Sequence, residues 1–168
     1  LAFIVLGGIV VYKVYPRISK IPSFQHRKEL WVRTIGMINK EPFWGNGMGS
    51  WHINNLYHVP ERLIQSESQY KTIYSPVGNI FYERPHNDFL WIWSESGLFT
   101  LLCYLAIFVL LFYSGFVVVN KTPNHKKRFY ILLVAGIAAY LVIAFFSFPK
   151  ERIEQSLLLM LFAGFLLN

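Results

Sequence analysis

Two long runs without charged residues constrain this chain more than any other feature. Residues 97–119 form a run of 23 and residues 129–148 a run of 20, and neither contains Asp, Glu, Lys or Arg. A helix needs roughly 20 apolar residues to cross ~30 Å of hydrocarbon. Charged residues make up only 15% of the sequence, against roughly 25% in soluble domains. The sequence therefore predicts two transmembrane helices in an all-α chain and excludes an ordinary water-soluble domain.

The two ends of the chain carry shorter apolar runs. Residues 1–12 and 156–167 are each uncharged, but such runs are too short to span a bilayer alone. Residues 13–17 include two basic residues and a proline where a signal peptide would have small residues. We interpret the ends as partial spans, residues 1–15 and 156–168, of a larger polytopic bundle of which this sequence is a fragment.

The connection between the two full spans indicates their orientation. Residues 120–128 contain four basic residues and no acidic residue, and a cationic excess in a short loop marks the cytoplasmic side. The long segment 16–88 and the short turn 149–155 then face the exterior. We expect spans at residues 89–119 and 129–148, with a large and mostly helical external loop before them.

The net charge of +7 indicates anionic partners. Because the basic residues flank the spans and the long loop, and no long basic cluster is present, we expect membrane lipids and phosphate-bearing substrates and no nucleic acid. The single cysteine, Cys103, excludes an intrachain disulfide. The five histidines lack metal-binding spacing, so no metal site is predicted.

The first part of the external loop has the pattern of a helix. Pro22 and Ser23 provide a start signal. Four residues then recur on one helical stripe, namely Arg27, Trp31, Thr34 and Ile38. The helix should end before Pro42, and three closely spaced glycines should form a turn after it.

Cations crowd the first turn of this predicted helix. His26, Arg27 and Lys28 lie where the helix dipole disfavours positive charge. A phosphate there would meet free backbone amides and a planar guanidinium able to bind two of its oxygens. At this point two interpretations stay open: solvated surface cations, or a phosphate site that includes Arg27.

His86 and Asn87 stand at the start of the first full span. The helix dipole there should keep the imidazole neutral and able to accept a proton, while Asp88 acts in the opposite direction. The alternative is an interfacial hydrogen-bonding histidine, with Asn87 or Asp88 as the helix cap.

Glu95 lies two residues before the uncharged run, at the bilayer boundary. Unpaired charge is costly there, so this carboxylate should have a partner. It is either a glutamate that reaches to the interface or a residue that orients a basic group such as Arg27, Arg84 or His86.

Three motifs now stand in order along the chain: Arg27-x3-Trp31, Glu41-Pro42-x2-Gly45-x-Gly47-x-Gly49-x-Trp51 and His86-Asn87-x2-Leu90-x4-Glu95-x-Gly97-Leu98. Together they resemble the signature of the O-antigen ligase and polymerase family of bacterial envelope membrane proteins. The resemblance covers roughly residues 24–50 and 84–168, and the Phe148-Pro149 turn is also similar to the family's pattern.

This resemblance implies a multi-span enzyme of the bacterial inner membrane with its active face outside. It would move a glycan from an undecaprenyl diphosphate carrier to a hydroxyl of lipid A core, of a growing glycan or of a protein. Members are regarded as metal-independent and inverting, so the resemblance implies no cofactor. The alternative function is a non-catalytic membrane element of polysaccharide export or envelope assembly.

The resemblance also assigns expected roles to individual residues. Arg27 matches the family's loop arginine and is expected at the diphosphate, and His86 matches its histidine and is expected to be the base or to position the acceptor. The motifs do not fix Arg84 and Arg33, which are further candidates for the diphosphate. Asn87 is expected to orient the sugar or the loop backbone, and Glu95 is a further candidate for substrate binding.

The orientation can be checked by cysteine labelling in intact cells. A cysteine introduced at Lys126 should resist an impermeant thiol reagent added from outside, because the basic connection is expected in the cytoplasm. Modification of this cysteine from outside would reverse the predicted topology.

Overall fold

The protein, seen in a computed structural model, is described for residues 22–58 and 84–167. Within these ranges it has no strand and consists of helices, turns and connections. The α-helices are α1 (Pro22–Lys40), α2 (Trp51–Asn54), α3 (Asp88–Lys121), α4 (Asn124–Phe146) and α5 (Ile153–Leu167). Short 3-10 turns lie at Asn55–His58 and Pro149–Glu151. The all-α prediction is confirmed, while the expected partial span at 1–15 and much of the external loop lie outside the described residues.

Helix α3 contains the first uncharged run, helix α4 contains the second except for residues 147 and 148, and the two helices form a hairpin. Both are long and apolar enough to cross a membrane. Only 17% and 22% of their most apolar windows are buried inside the protein, whereas the core helix of a soluble protein would be mostly buried. Their outward apolar side chains therefore suit a lipid environment. Helix α5 is shorter and also apolar.

A buried apolar cluster holds α3, α4 and α5 together. Phe108 and Leu111 of α3 meet Leu133 and Ile137 of α4, and Leu166 of α5 joins them. Since lipid tails are as apolar as these side chains, close packing rather than water exclusion supports this contact.

Helix α3 is interrupted at Gly97, where the backbone turns to φ 81° and ψ 175°. The interruption frees backbone groups that a continuous helix would pair internally. The turn after α1 takes them up: the Leu98 N–H donates to the Pro42 carbonyl (3.0 Å), and the Ser94 carbonyl accepts from the Asn46 N–H (2.8 Å). The turn thus completes the hydrogen bonding of the broken helix.

Further contacts fix the same turn. The Glu95 carbonyl accepts from the Gly47 N–H (2.9 Å), and the Trp93 indole N–H donates to the Pro42 carbonyl (2.8 Å). A Cβ atom at Gly97 would overlap the carbonyl of Phe43. The Gly-rich motif and the Glu-x-Gly-Leu motif therefore contact each other directly.

Helix α1 packs along α3 and orients the start of the site. It runs from Pro22 to Lys40, as predicted. Leu30 and Met37 are buried against Trp91 of α3 and against Trp51. The Trp31 indole N–H donates to the carbonyl of Pro85 (2.9 Å). This last bond joins the middle of α1 to the connection that leads into α3.

Alanine at Gly97 should destabilise the protein far more than alanine at Gly47. Both glycines have positive φ, 81° and 99°, and such backbone conformations cost an L-residue on the order of 1–3 kcal/mol. A Cβ at Gly47 meets nothing within 4 Å, whereas one at Gly97 meets backbone. Thermal unfolding of both variants in detergent measures the difference, which is the steric cost of placing a Cβ against the backbone of Phe43. Equal unfolding temperatures for the two variants would contradict the contact between Gly97 and Phe43.

Candidate functional site

Three segments far apart in sequence meet at one end of the membrane hairpin. They are the N-terminal half of α1, the connection at residues 84–87 and the turn at residues 148–152. The bond from Trp31 to Pro85 joins the first two. An ion pair between Arg84 and Glu151 joins the second and third.

His86 sits at the entrance to α3 in an unusual backbone conformation. Its φ is 54°, and it has positive φ alone among the described non-glycine residues. Such conformations cost about 1–3 kcal/mol and persist where the surroundings enforce them. Asn87 follows as the N-cap of α3, its side chain accepting from the Leu90 N–H (2.9 Å). The imidazole packs against the Phe148 ring, with the ring centroids 5.1 Å apart.

The surroundings of His86 favour its neutral form. Partial burial lowers the pKa of His86 below the usual 6.5, and the positive charges of Arg27 and Arg84, together with protonation of His26, lower this pKa further. The imidazole is therefore neutral near pH 7 and can accept a proton. Because Arg27 is the charge with the largest effect on this pKa, α1 brings the two residues with catalytic roles expected from the sequence into electrostatic contact.

The arginines around His86 differ in how their charges are used. Arg27 is half-buried, and no carboxylate of the described part of the chain lies within ion-pair distance of it. Arg84 pairs with Glu151, and its guanidinium carbon lies 5.1 Å from the centre of the Phe148 ring. The charge of Arg84 is therefore partly neutralised by Glu151, whereas the charge of Arg27 is not neutralised by a described carboxylate.

Two other expected site residues lie inside the protein. Arg33 is 2% exposed. Burial lowers the pKa of His26, and the charge of Arg33 lowers it further, so Arg33 affects the site from inside the protein. Glu95 is 8% exposed and accepts from the backbone N–H of Trp51 (2.9 Å). Glu95 has the partner that its position demanded, but the partner is the first residue of α2 rather than one of the expected cations.

The sequence did not indicate that the turn after α4 belongs to the site. The Lys150 N–H donates to the Asp88 carboxylate (3.0 Å), and the Lys150 ammonium lies 3.6 Å from the centre of the Trp91 ring. Burial lowers the pKa of Lys150, and the charge of Asp88 opposes this shift. The cluster of charges after Phe148 and Pro149, between two apolar runs, was the signal that could have pointed to this turn.

The arrangement suits an anionic ligand beside a proton acceptor. Cations lie around a neutral imidazole. The expected position of Arg27 in the first turn of α1 is wrong, because the helix begins at Pro22 and Arg27 lies in its second turn, where the helix dipole has little effect. Among residues 22–58 and 84–167, no three His, Cys, Asp or Glu side chains are grouped as metal ligands. The chemistry available from these residues is anion binding and proton transfer.

Comparison with known proteins adds a family to this geometry. A family model described as O-antigen ligase matches residues 1–105. The chain is also similar to a curated protein of Pseudomonas aeruginosa named O-antigen ligase, with 28% identity over 154 residues. That match covers 90% of this chain and 33% of the relative, so the chain spans about a third of the relative's length. No solved structure matches the chain.

The link between Arg27 and His86 can be measured without an activity assay. Arg27→Gln should raise the pKa of His86, because it removes a positive charge that disfavours the imidazolium. Diethyl pyrocarbonate modifies neutral imidazole, so the pH midpoint of modification at residue 86, mapped by mass spectrometry, should move upward. Lys28→Gln is the matched control and should leave the midpoint in place. An unchanged midpoint in Arg27→Gln would contradict their proximity.

Proposed function

The chain belongs to the O-antigen ligase family, and we propose that it forms part of a membrane enzyme that transfers a glycan from an undecaprenyl diphosphate carrier to an acceptor hydroxyl. The observation that supports the proposal is the grouping of His86 with Arg84 on the Phe148 ring, where burial and the charge of Arg27 lower the pKa of His86. The acceptor class is lipid A core, a growing glycan or a protein, each of which supplies a hydroxyl.

Arg27 serves the leaving group in this proposal. Transfer breaks the bond between the anomeric carbon and the diphosphate oxygen, and the bonding electrons stay on that oxygen. A guanidinium in the N-terminal half of α1 stabilises the charge that develops there, and positive groups held at a leaving group are worth several kcal/mol of barrier. Because no described carboxylate neutralises Arg27, its charge is available to the diphosphate.

His86 serves the attacking group. The acceptor oxygen bonds to the anomeric carbon as its proton passes to the imidazole, which requires the neutral form that burial and the neighbouring cations favour. Binding of the diphosphate would offset those cations and raise the pKa of His86. The histidine would therefore be neutral in the free enzyme and a stronger base once the donor is bound. Attack opposite the leaving diphosphate inverts the anomeric carbon without a metal.

The position of the site suits the outer face of the bacterial inner membrane. His86 precedes α3, whereas the basic connection from Lys121 to Arg128 follows the far end of the same helix. With that connection in the cytoplasm, the site lies outside, where the lipid-linked glycan and its acceptor would meet.

The alternative, a non-catalytic element of polysaccharide export or envelope assembly, explains less of the site. A surface that only holds anionic lipid requires cations. Such a surface does not require a histidine that stays neutral among the cations, as His86 does, or one held at positive φ.

One transfer assay with the full-length protein tests the two proposed roles. His86→Ala should reduce turnover by roughly 10²–10⁴, the usual contribution of a positioned base, while the lipid-linked donor still binds. Arg27→Lys keeps the charge but loses the planar fork that engages two oxygens, so it should lose much of the activity, and Arg27→Ala should lose more.

Lys28→Ala is the control for a diffuse basic surface. Lys28 is exposed, next to Arg27 on α1, and its loss should matter little. Wild-type turnover in a properly inserted His86→Ala protein, or equal losses at Lys28 and Arg27, would favour the non-catalytic element.

A further inference from the structure

The Phe148 ring gathers three polar groups. The His86 imidazole is 5.1 Å from it, centroid to centroid. The guanidinium carbons of Arg84 and Arg152 lie 5.1 Å and 5.3 Å from its centre. Arg152 follows the second uncharged run and lies outside the residues that match the family model. The fold nevertheless places it one aromatic ring away from the candidate base.

Arg152 differs from the arginines that the sequence suggested for the diphosphate. Arg33 is buried, and Arg84 is paired with Glu151. Arg152 is exposed, and within the described part of the chain no carboxylate lies at ion-pair distance from it. Its guanidinium carbon lies 5.3 Å from the centre of the Phe148 ring, and such a contact with an aromatic ring does not neutralise the positive charge, which stays available to an anion.

The backbone of the turn holds Arg152 in place before any ligand arrives. The Arg152 N–H donates to the Pro149 carbonyl (3.1 Å), and the Arg152 carbonyl accepts from the Ser156 N–H (3.0 Å). The bond from the Lys150 N–H to Asp88 ties the same turn to α3. A residue fixed in this way loses less conformational entropy when a ligand binds.

We propose that Arg152 binds a phosphate of the lipid-linked diphosphate donor, as an anion-binding residue of the same site as Arg27 and His86. This inference rests on the proposed function, which supplies the diphosphate. The planar guanidinium engages two phosphate oxygens, and its location beside His86 holds the leaving group close to the base. Arg84, paired with Glu151, then serves to attach the turn.

Donor binding, measured apart from transfer, tests this inference. The probe is undecaprenyl diphosphate added to the full-length protein in phosphatidylcholine nanodiscs. Arg152→Ala should weaken binding by about 10–100-fold, the range for loss of charged hydrogen bonds, and Arg152→Lys should weaken it less. Arg128→Ala is the matched control, because Arg128 is also exposed but lies near the other end of α4, and it should bind as the wild type does.

In the transfer assay, Arg152→Ala should raise the KM for the donor more than it lowers kcat. Equal donor binding by Arg152→Ala and Arg128→Ala would overturn the inference. The inference would also be overturned if Arg152→Ala weakened donor binding only in nanodiscs of anionic phosphatidylglycerol, because Arg152 would then be a contact for lipid headgroups. Failure of the proposed function would look different, since the wild type and the Arg128→Ala control would then lack transfer activity.

Discussion

The repair of the broken helix at Gly97 is the interaction on which the rest of the described structure depends. A helix interrupted near the membrane surface leaves carbonyls and amides that lipid cannot satisfy, each at a cost of several kcal/mol. Asn46 and Gly47 supply the missing donors, and Pro42 supplies the missing acceptor. The turn must therefore stay bound to α3, and the end of α1 stays with it.

This attachment explains why three separated motifs can form one site. With its C-terminal end fixed at the break in α3, α1 lies along that helix, and Trp31 reaches the carbonyl of Pro85. Arg27, one turn earlier on α1, then acts on the imidazole of His86. The Gly-rich motif thus carries no chemistry of its own and positions the residues that do.

The site gathers like charges, which would repel one another without a ligand. Burial keeps His86 neutral, and the charges of Arg27 and Arg84 act in the same direction. Arg152 reaches the Phe148 ring, which His86 also contacts, from another segment. An incoming diphosphate would relieve this repulsion and strengthen the base in the same step. The electrostatics therefore couple anion binding to proton transfer.

The sequence alone determined the features that depend on local composition. Uncharged runs defined the two membrane helices, Pro22 and Pro42 bracketed α1, and the closely spaced glycines marked a turn. These are properties of neighbouring residues, so their pattern can be read along the chain.

Only the tertiary structure decided which of the charged side chains meet. It gave Glu95 the backbone N–H of Trp51 as a hydrogen-bond donor and brought the charge of Glu95 close enough to act on Lys150. It also buried Arg33 and brought Arg152 beside the Phe148 ring. Each outcome depends on how helices pack across tens of residues. The bonds at the Gly97 break attach α1, and the apolar cluster of α3, α4 and α5 with the bond from Lys150 to Asp88 positions the turn that carries Arg152. Both join residues far apart in the chain.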